Sequence, residues 1–406
     1  MVTPKELLIS LQQQGALLPQ EEMLEVARKR GSLFIGIPRE SFFQENRVAL
    51  VPDAVNLLVM NGHHVVIESK AGETAHFDDR DYSEAGAKIA YDRKEVFEAD
   101  IILKVTPPSS EEISLLKHKQ TLFSALQMTV QTDQLIKQLM EKKVTGIAYE
   151  YIMDDDGIYP IIRAMSEIAG NTSILIAAEY LSNINNGNGS MFGGITGSPP
   201  TEVVIIGAGT VGEFATRAAL GLGASVKIFD NSVYRLRRLQ SDLGTRVFTS
   251  VLQPKILAKA LKTADVAIGA LRSSSGRTPC VVSEQMVSEM KQGSVIIDIS
   301  IDQGGVFETS EVTNHTQPIF RKFGVIHYCV PNIPSRVSRT ASYALSNVIT
   351  PILLSMGDEG GIEQMLRHQK NVRQGVYLYN GILTSKNLGE AFRLPYKDLD
   401  LLMAAF

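Results

Sequence analysis

The sequence predicts an α/β fold of two lobes, each built on a parallel sheet, with long helices at the joins and an active site in the cleft between them. Three observations carry this. Short apolar runs alternate with helical stretches in both halves of the chain, which is the rhythm of parallel strands joined by crossover helices. The rhythm starts twice, near residue 33 and again near residue 202. At 406 residues the chain is too long for one ordinary core.

In the first half, LFIGI (33–37) reads as a strand, 53–61 as a helix and HVVIE (64–68) as the next strand. ADIILKV (99–105), TLFSAL (121–126) and VTGIAY (144–149) read as further strands. In the second half, EVVIIG (202–207) is a strand and 211–222 a helix. ASVKIFD (224–230), VAIGAL (266–271), SVIIDIS (294–300) and VIHYCV (325–330) continue the series. Long helical stretches at about 166–183 and 341–356 stand where one lobe ends, so they read as hinge helices. The Gly-, Ser- and Pro-rich segment 186–201 reads as a loop into the second lobe. After residue 357 the chain returns to the first lobe. The predicted organisation is a helical extension over 1–32, a substrate lobe over 33–165, a nucleotide lobe over 166–340, and a hinge helix with C-terminal return over 341–406.

Composition narrows the function. Hydrophobic residues make up 44% and charged residues 21%, with a net charge of −4, which fits a globular protein and lacks the basic stripe of a nucleic-acid binder. Two cysteines, Cys280 and Cys329, have no metal-type spacing and fit a reducing compartment. No signal-peptide pattern opens the chain and no apolar run approaches the roughly 18 to 20 residues that span a bilayer. The expectation is a cytoplasmic protein without membrane insertion and without a metal.

The strongest motif is GAGTVG at 207–212. It follows the strand VVII, opens a helix, and precedes a second strand that ends in Asp230. This is the Rossmann dinucleotide arrangement. Gly207 permits the tight turn, Gly209 lets the backbone approach a pyrophosphate, and Gly212 lets helix and strand pack. Thr210 and Val211 supply backbone N–H groups at the helix start. Asp230 can accept bonds from ribose hydroxyls and would repel a 2′-phosphate, so NAD is expected over NADP, although Arg235 lies near.

Several longer segments have a familiar order: IGIPRESFFQENRVALVP (35–52), ILKVTPP (102–108), MSEIAG (165–170), VIIGAGTVG (204–212), VIIDISIDQGG (295–305), PNIPS (331–335) and SYALSN (342–347). From about residue 33 to the C-terminus the chain resembles alanine dehydrogenase and the related NAD-binding subunit of proton-translocating transhydrogenase. YEYIMDDDGIYPIIRAMSEIAG (149–170) and GVYLYNGILTSKNLGEAF (375–392) resemble the dehydrogenase branch, and the Arg-Ala-Gln-Ser loop of the other branch is absent. VPNIPSRV (330–337) is similar to the transhydrogenase version.

The resemblance implies NAD-dependent deamination of a small L-amino acid, L-alanine above all, to a 2-oxo acid, by an oligomer that is commonly hexameric. It places the substrate carboxylate on Arg47, a second substrate contact and a catalytic role on Lys104, and a catalytic aspartate at Asp302 beside the nicotinamide ribose. Asp298 is read as structural or cofactor-adjacent. Further cofactor contacts fall on Ser166, Ala270, Leu271, Ile299, Val330 and Asn332. One position departs. The family's catalytic histidine follows the strand corresponding to TLFSAL, and here that position is Gln127, with none of the seven histidines in its place. Glutamine does not exchange protons near neutral pH. Lys104 or Asp302 would then carry the proton while Gln127 orients the substrate. The alternatives are a different amino or imino acid, or a transhydrogenase-type NAD-binding component without amino-acid turnover.

Overall fold

The computed structural model describes residues 31–128, 130–273 and 277–404. The helical extension expected over 1–32 lies, but for its last two residues, outside that set. Fifteen strands are present among the described residues. In chain order they are β1 (Phe34–Ile37), β2 (His64–Glu68), β3 (Lys88–Ala90), β4 (Ile101–Leu103), β5 (Thr121–Ser124) and β6 (Thr145–Ala148). Then come β7 (Glu202–Ile206), β8 (Ser225–Phe229), β9 (Phe248–Ser250), β10 (Val266–Gly269), β11 (Val295–Asp298), β12 (Ile319–Lys322) and β13 (Val325–Tyr328), followed by β14 (Val376–Tyr379) and β15 (Ile382–Leu383).

They form two sheets. The first has the order β15-β14-β6-β5-β4-β1-β2-β3 and the second β12-β13-β11-β10-β7-β8-β9. Starting from β3 or from β9, both run third, second, first, fourth, fifth, which is the doubly wound order. The rhythm that starts twice in the sequence thus corresponds to one topology used twice. Strands β1 to β6 pair in parallel, and β14 closes antiparallel on β6, so the chain does return to the first sheet. The central strands β1, β4, β7, β10 and β11 are buried on both faces and are rich in Val, Ile and Leu, as a sheet covered by helices on both sides requires.

Two helices cross between the sheets. α1 (Pro160–Leu181) starts six residues before the expected position because Pro160 takes the first turn, where its missing N–H costs nothing. Ile161 lies in the core of the first sheet, and Ala169, Ile174 and Ala177 lie in that of the second. α2 (Thr210–Gly221) follows the glycine loop and packs along α1. α3 (Ser338–Asp358) runs past both ends of the expected 341–356, keeps Pro351 inside it, and presents Leu345, Ile349, Leu353 and Met356 to the first core. Most observed strands are shorter than the apolar runs that mark them. ADIILKV contributes only Ile101–Leu103, and SVIIDIS stops at Asp298, after which residues 299–303 form a 3-10 turn. Among the described residues, no helix is long and apolar enough to cross a membrane.

Candidate active site

In each sheet the order reverses between its first and fourth strands, β1 and β4 in one and β7 and β10 in the other. Ligands of such sheets bind beyond the carboxyl ends of the strands at that switch point. The candidate residues collect at both.

At the second switch point, Gly207 has φ +121 and a Cβ there would lie 2.3 Å from Ala270 O. A Cβ on Gly212 would lie 1.8 Å from Gly207 O. These two glycines are needed by the protein's own packing. Gly209 differs: nothing lies within 4 Å of its absent side chain, although it directly precedes α2. The amides of Thr210 and Val211, next along the chain, stand in the first turn of α2, where an N–H has no partner within the helix. The loop therefore has the shape and the polarity for a pyrophosphate. Asp230 Oδ2 accepts from Ala208 N at 2.8 Å and Oδ1 from Ser232 N at 2.7 Å, so this buried acid also braces the loop. Arg235 approaches it only to 3.9 Å. Gly170 of α1 belongs to the same construction, because a Cβ there would lie 2.5 Å from Val211 O.

Ala270 and Leu271 follow β10. The Ser300 hydroxyl donates to Leu271 O at 2.7 Å, linking them to the turn that holds Ile299 and Asp302. Asp298 shapes that turn. Its carboxylate accepts from Ser300 N at 3.1 Å, Val306 N at 2.8 Å and the Ser310 hydroxyl at 2.7 Å, in agreement with a structural reading. Ser166, Thr210, Val211, Ala270, Leu271, Ile299 and Asn332 are all half-buried, while Val330 is buried.

At the first switch point, Lys104 follows β4 and is fully buried. Its ammonium donates to Glu40 Oε2 at 3.1 Å and to Glu112 Oε1 at 3.0 Å. Burial alone would lower its pKa, but the two carboxylates outweigh it and hold the lysine above its usual value. Glu112 is correspondingly held low by Lys104 against its burial. Arg47 is buried and pairs with Glu45 through Nε at 2.7 Å and Nη2 at 2.6 Å, while Nη1 points to Met165 Sδ at 3.4 Å. Desolvation opposes charge on both, yet the pair keeps Glu45 below and Arg47 above the ordinary range.

The two halves meet. Asn332 Nδ2 donates to Glu45 Oε2 at 2.9 Å. Asp302 is open to solvent but walled by the protein around it, and this desolvation pushes its carboxyl up to about 6, against the pull of the Asn332 backbone and Arg47. Arg47, Asn332 and Asp302, drawn from three distant segments, are thereby neighbours. Gln127 stands just past β5 with φ +44, its N–H donating to Glu150 Oε1 at 3.1 Å.

Four acids were not singled out from the sequence. Glu40 and Glu45 both precede Arg47, in PRE and ENR, and an acid two residues before a prospective carboxylate-binding arginine is the available signal. Glu112 sits in the pattern Ser109-x-x-Glu112, where it does close a capping box, but its second role on Lys104 has no local signature. Glu150 gave no signal.

Known proteins resemble this chain along most of its length. The family profile described as alanine dehydrogenase/PNT, N-terminal domain, matches residues 36–169, and its C-terminal domain counterpart matches residues 173–386. Alanine dehydrogenase 2 of Staphylococcus aureus (strain Mu50 / ATCC 700699) is 40% identical over 367 residues, which is 90% of this chain and 98% of that protein. A solved L-alanine dehydrogenase superposes with a TM-score of 0.83 at 37% identity, over 88% of this chain and 99% of that one. A transhydrogenase from Sinorhizobium meliloti shares the fold, with a TM-score of 0.74 at 23% identity over 87% of this chain and 99% of that one. On two domain profiles that together run from residue 36 to residue 386, this chain belongs to the alanine dehydrogenase/PNT family.

Proposed function

We propose that the protein catalyses the reversible NAD-dependent oxidative deamination of a small L-amino acid, L-alanine in the first instance: alanine, NAD+ and water give pyruvate, ammonium, NADH and a proton. The observation that carries this is Glu45, which pairs with Arg47 of its own lobe and accepts from Asn332 of the other, with Asp302 bonded to the Asn332 backbone and within electrostatic reach of Arg47.

The residues present fit the dinucleotide. The space beside Gly209 and the amides of Thr210 and Val211 suit the pyrophosphate, Asp230 suits the adenosine ribose, and Ser166, Ala270, Leu271, Ile299 and Val330 line the remaining path. Bound NAD supplies the hydride acceptor. Everything else falls to the chain. Arg47 retains Nη1 as a donor not spent on Glu45 and offers it to the substrate carboxylate. Lys104 holds a charge that two carboxylates stabilise, so it serves as a fixed cation in the wall and not as the proton carrier. Asp302, with its carboxyl near 6, is the group poised to take and return a proton near neutral pH. Gln127 orients the substrate carbonyl through its amide. Closure of the lobes excludes water and sets the reacting carbon against the nicotinamide.

The purified protein, mixed with pyruvate, ammonium and NADH, is expected to oxidise NADH. Absence of turnover with pyruvate and with other 2-oxo acids would overturn the reading. One observation favours a second: Gln127 in the histidine position suits a transhydrogenase-type NADH-binding component, which would bind NADH tightly, turn over no amino acid, and copurify with a membrane partner. We also place the protein in the cytoplasm, with both described cysteines free, as a homo-oligomer, hexameric by the resemblance. Its native mass reads the latter.

A further inference from the structure

Glu150 lies in the turn 149–151, at the carboxyl end of β6, the sheet edge on which the switch point between β1 and β4 opens. Its Oε1 accepts two backbone N–H groups of the neighbouring strand end, from Leu126 at 2.7 Å and from Gln127 at 3.1 Å. Its Oε2 is sealed from solvent and has no hydrogen-bond partner among the described residues. A carboxyl used on one side only is a poor return for burial, because the empty oxygen loses its water and gains nothing. In keeping with this, burial pushes the Glu150 carboxyl above the usual range, against the pull of its own backbone N–H and of the Gln127 and Leu126 amides. The titratable groups around it are phenols: Tyr149 and Tyr151 on its own turn and Tyr377 from β14.

What the burial secures is a backbone shape. Gln127 has φ +44, in the left-handed region that a residue with a side chain rarely adopts. Such a conformation persists only where surrounding bonds impose it. The two amides held by Glu150 are those of Gln127 itself and of the residue before it.

We propose that Glu150 is a positioning residue, clamping the Leu126 and Gln127 amides with one carboxyl oxygen so that the Gln127 side chain is presented to the substrate at the end of β5. This rests on the amino-acid dehydrogenase reading given above. A carboxamide at position 150 retains the oxygen that accepts both N–H groups. An alanine removes it.

The test compares Glu150→Gln and Glu150→Ala with the unaltered protein in reductive amination of pyruvate and in hydrogen exchange at residues 126–127. Glu150→Gln is expected to keep the KM for pyruvate within about threefold, and Glu150→Ala to raise it about tenfold or more with the KM for NADH little changed. Exchange at 126–127 is expected to rise about tenfold in Glu150→Ala alone. Equal KM values for pyruvate in Glu150→Ala and the unaltered protein, or a Glu150→Gln as damaged as Glu150→Ala, would overturn the clamp. If Glu150→Ala does not fold, Glu150→Asp, shorter by one methylene, takes its place with the same direction expected. If the unaltered protein turns over no 2-oxo acid, the dehydrogenase reading fails, and hydrogen exchange still decides whether Glu150 holds the two amides.

Discussion

Glu45 Oε2 accepts hydrogen bonds from Arg47 of its own lobe at 2.6 Å and from Asn332 of the other lobe at 2.9 Å. The same short segment makes further bonds across the joint. His315 N donates to Gln44 Oε1 at 2.6 Å, and Asn46 N donates to the Ser335 hydroxyl at 2.9 Å. The guanidinium proposed to meet the substrate is therefore positioned by a carboxylate that is itself tied to the second lobe. Removing that carboxylate leaves a buried cation without its counter-charge. Glu45→Ala is expected to cost about 3–5 kcal/mol, against about 1.5 kcal/mol for Asn332→Ala, which breaks one bond only. Denaturant unfolding of both variants measures this, and equal losses would contradict it.

Asp302 sets an acid limb. With its carboxyl at about 6, the ionised form that takes a proton grows as pH rises through that value, so kcat/KM for deamination should rise there. The reverse reaction needs the protonated form and should lose rate over the same interval. Asp302→Asn should abolish both limbs. A limb near pH 6 that survives in this variant would assign it to another group.

Gly207 and Gly209 separate folding from binding. Gly207→Ala drives a Cβ to 2.3 Å from Ala270 O in a left-handed conformation, and should destabilise the second lobe. Gly209→Ala meets nothing in the protein, so its melting temperature should match the unaltered protein. Its affinity for NADH should nevertheless fall about tenfold or more, because the methyl occupies the space the pyrophosphate needs. Unchanged NADH affinity in a folded Gly209→Ala would place the phosphates elsewhere.

Gln127→His tests the remaining scaffold. Histidine tolerates the left-handed backbone better than most residues. It would add a group that titrates near neutral pH at the end of β5. A gain in pyruvate reduction of about 100-fold is the scale of general acid–base assistance. No gain would mean that the scaffold no longer presents this position to an oxo acid.

His327 predicts acid sensitivity. It is buried in the second sheet, with Nε2 against the Thr309 hydroxyl at 2.8 Å and Nδ1 against Val325 O at 3.1 Å, and burial lowers its pKa to about 4. Between its ordinary value near 6.5 and 4, the unfolded chain binds a proton that the folded one refuses. Stability should thus decline as pH falls through that window, by up to about 3 kcal/mol. His327→Gln should flatten the decline in melting temperature, and an unchanged slope would remove His327 as its cause.

Features that depend on neighbouring residues are legible in the sequence. GAGTVG with a strand before it and a helix after it, the acid at Asp230, and the runs of Val, Ile and Leu that become β1, β7, β10 and β11 are local patterns, because strand burial and loop conformation are set within a few residues. Short strands such as β3, β9 and β15 carry too little periodicity to read, and their pairing came only from the sheet beside them. The electrostatics come from contacts between distant segments. Lys104 looked like a lysine facing a crevice, but Glu40 and Glu112 hold it as a buried ion pair, and Glu40 lies 64 positions away. Glu45 and Asn332 are 287 positions apart, and nothing in either segment marks the other. A charge's role is set by what desolvates it and what pairs with it, and both are supplied by chain that is distant in sequence.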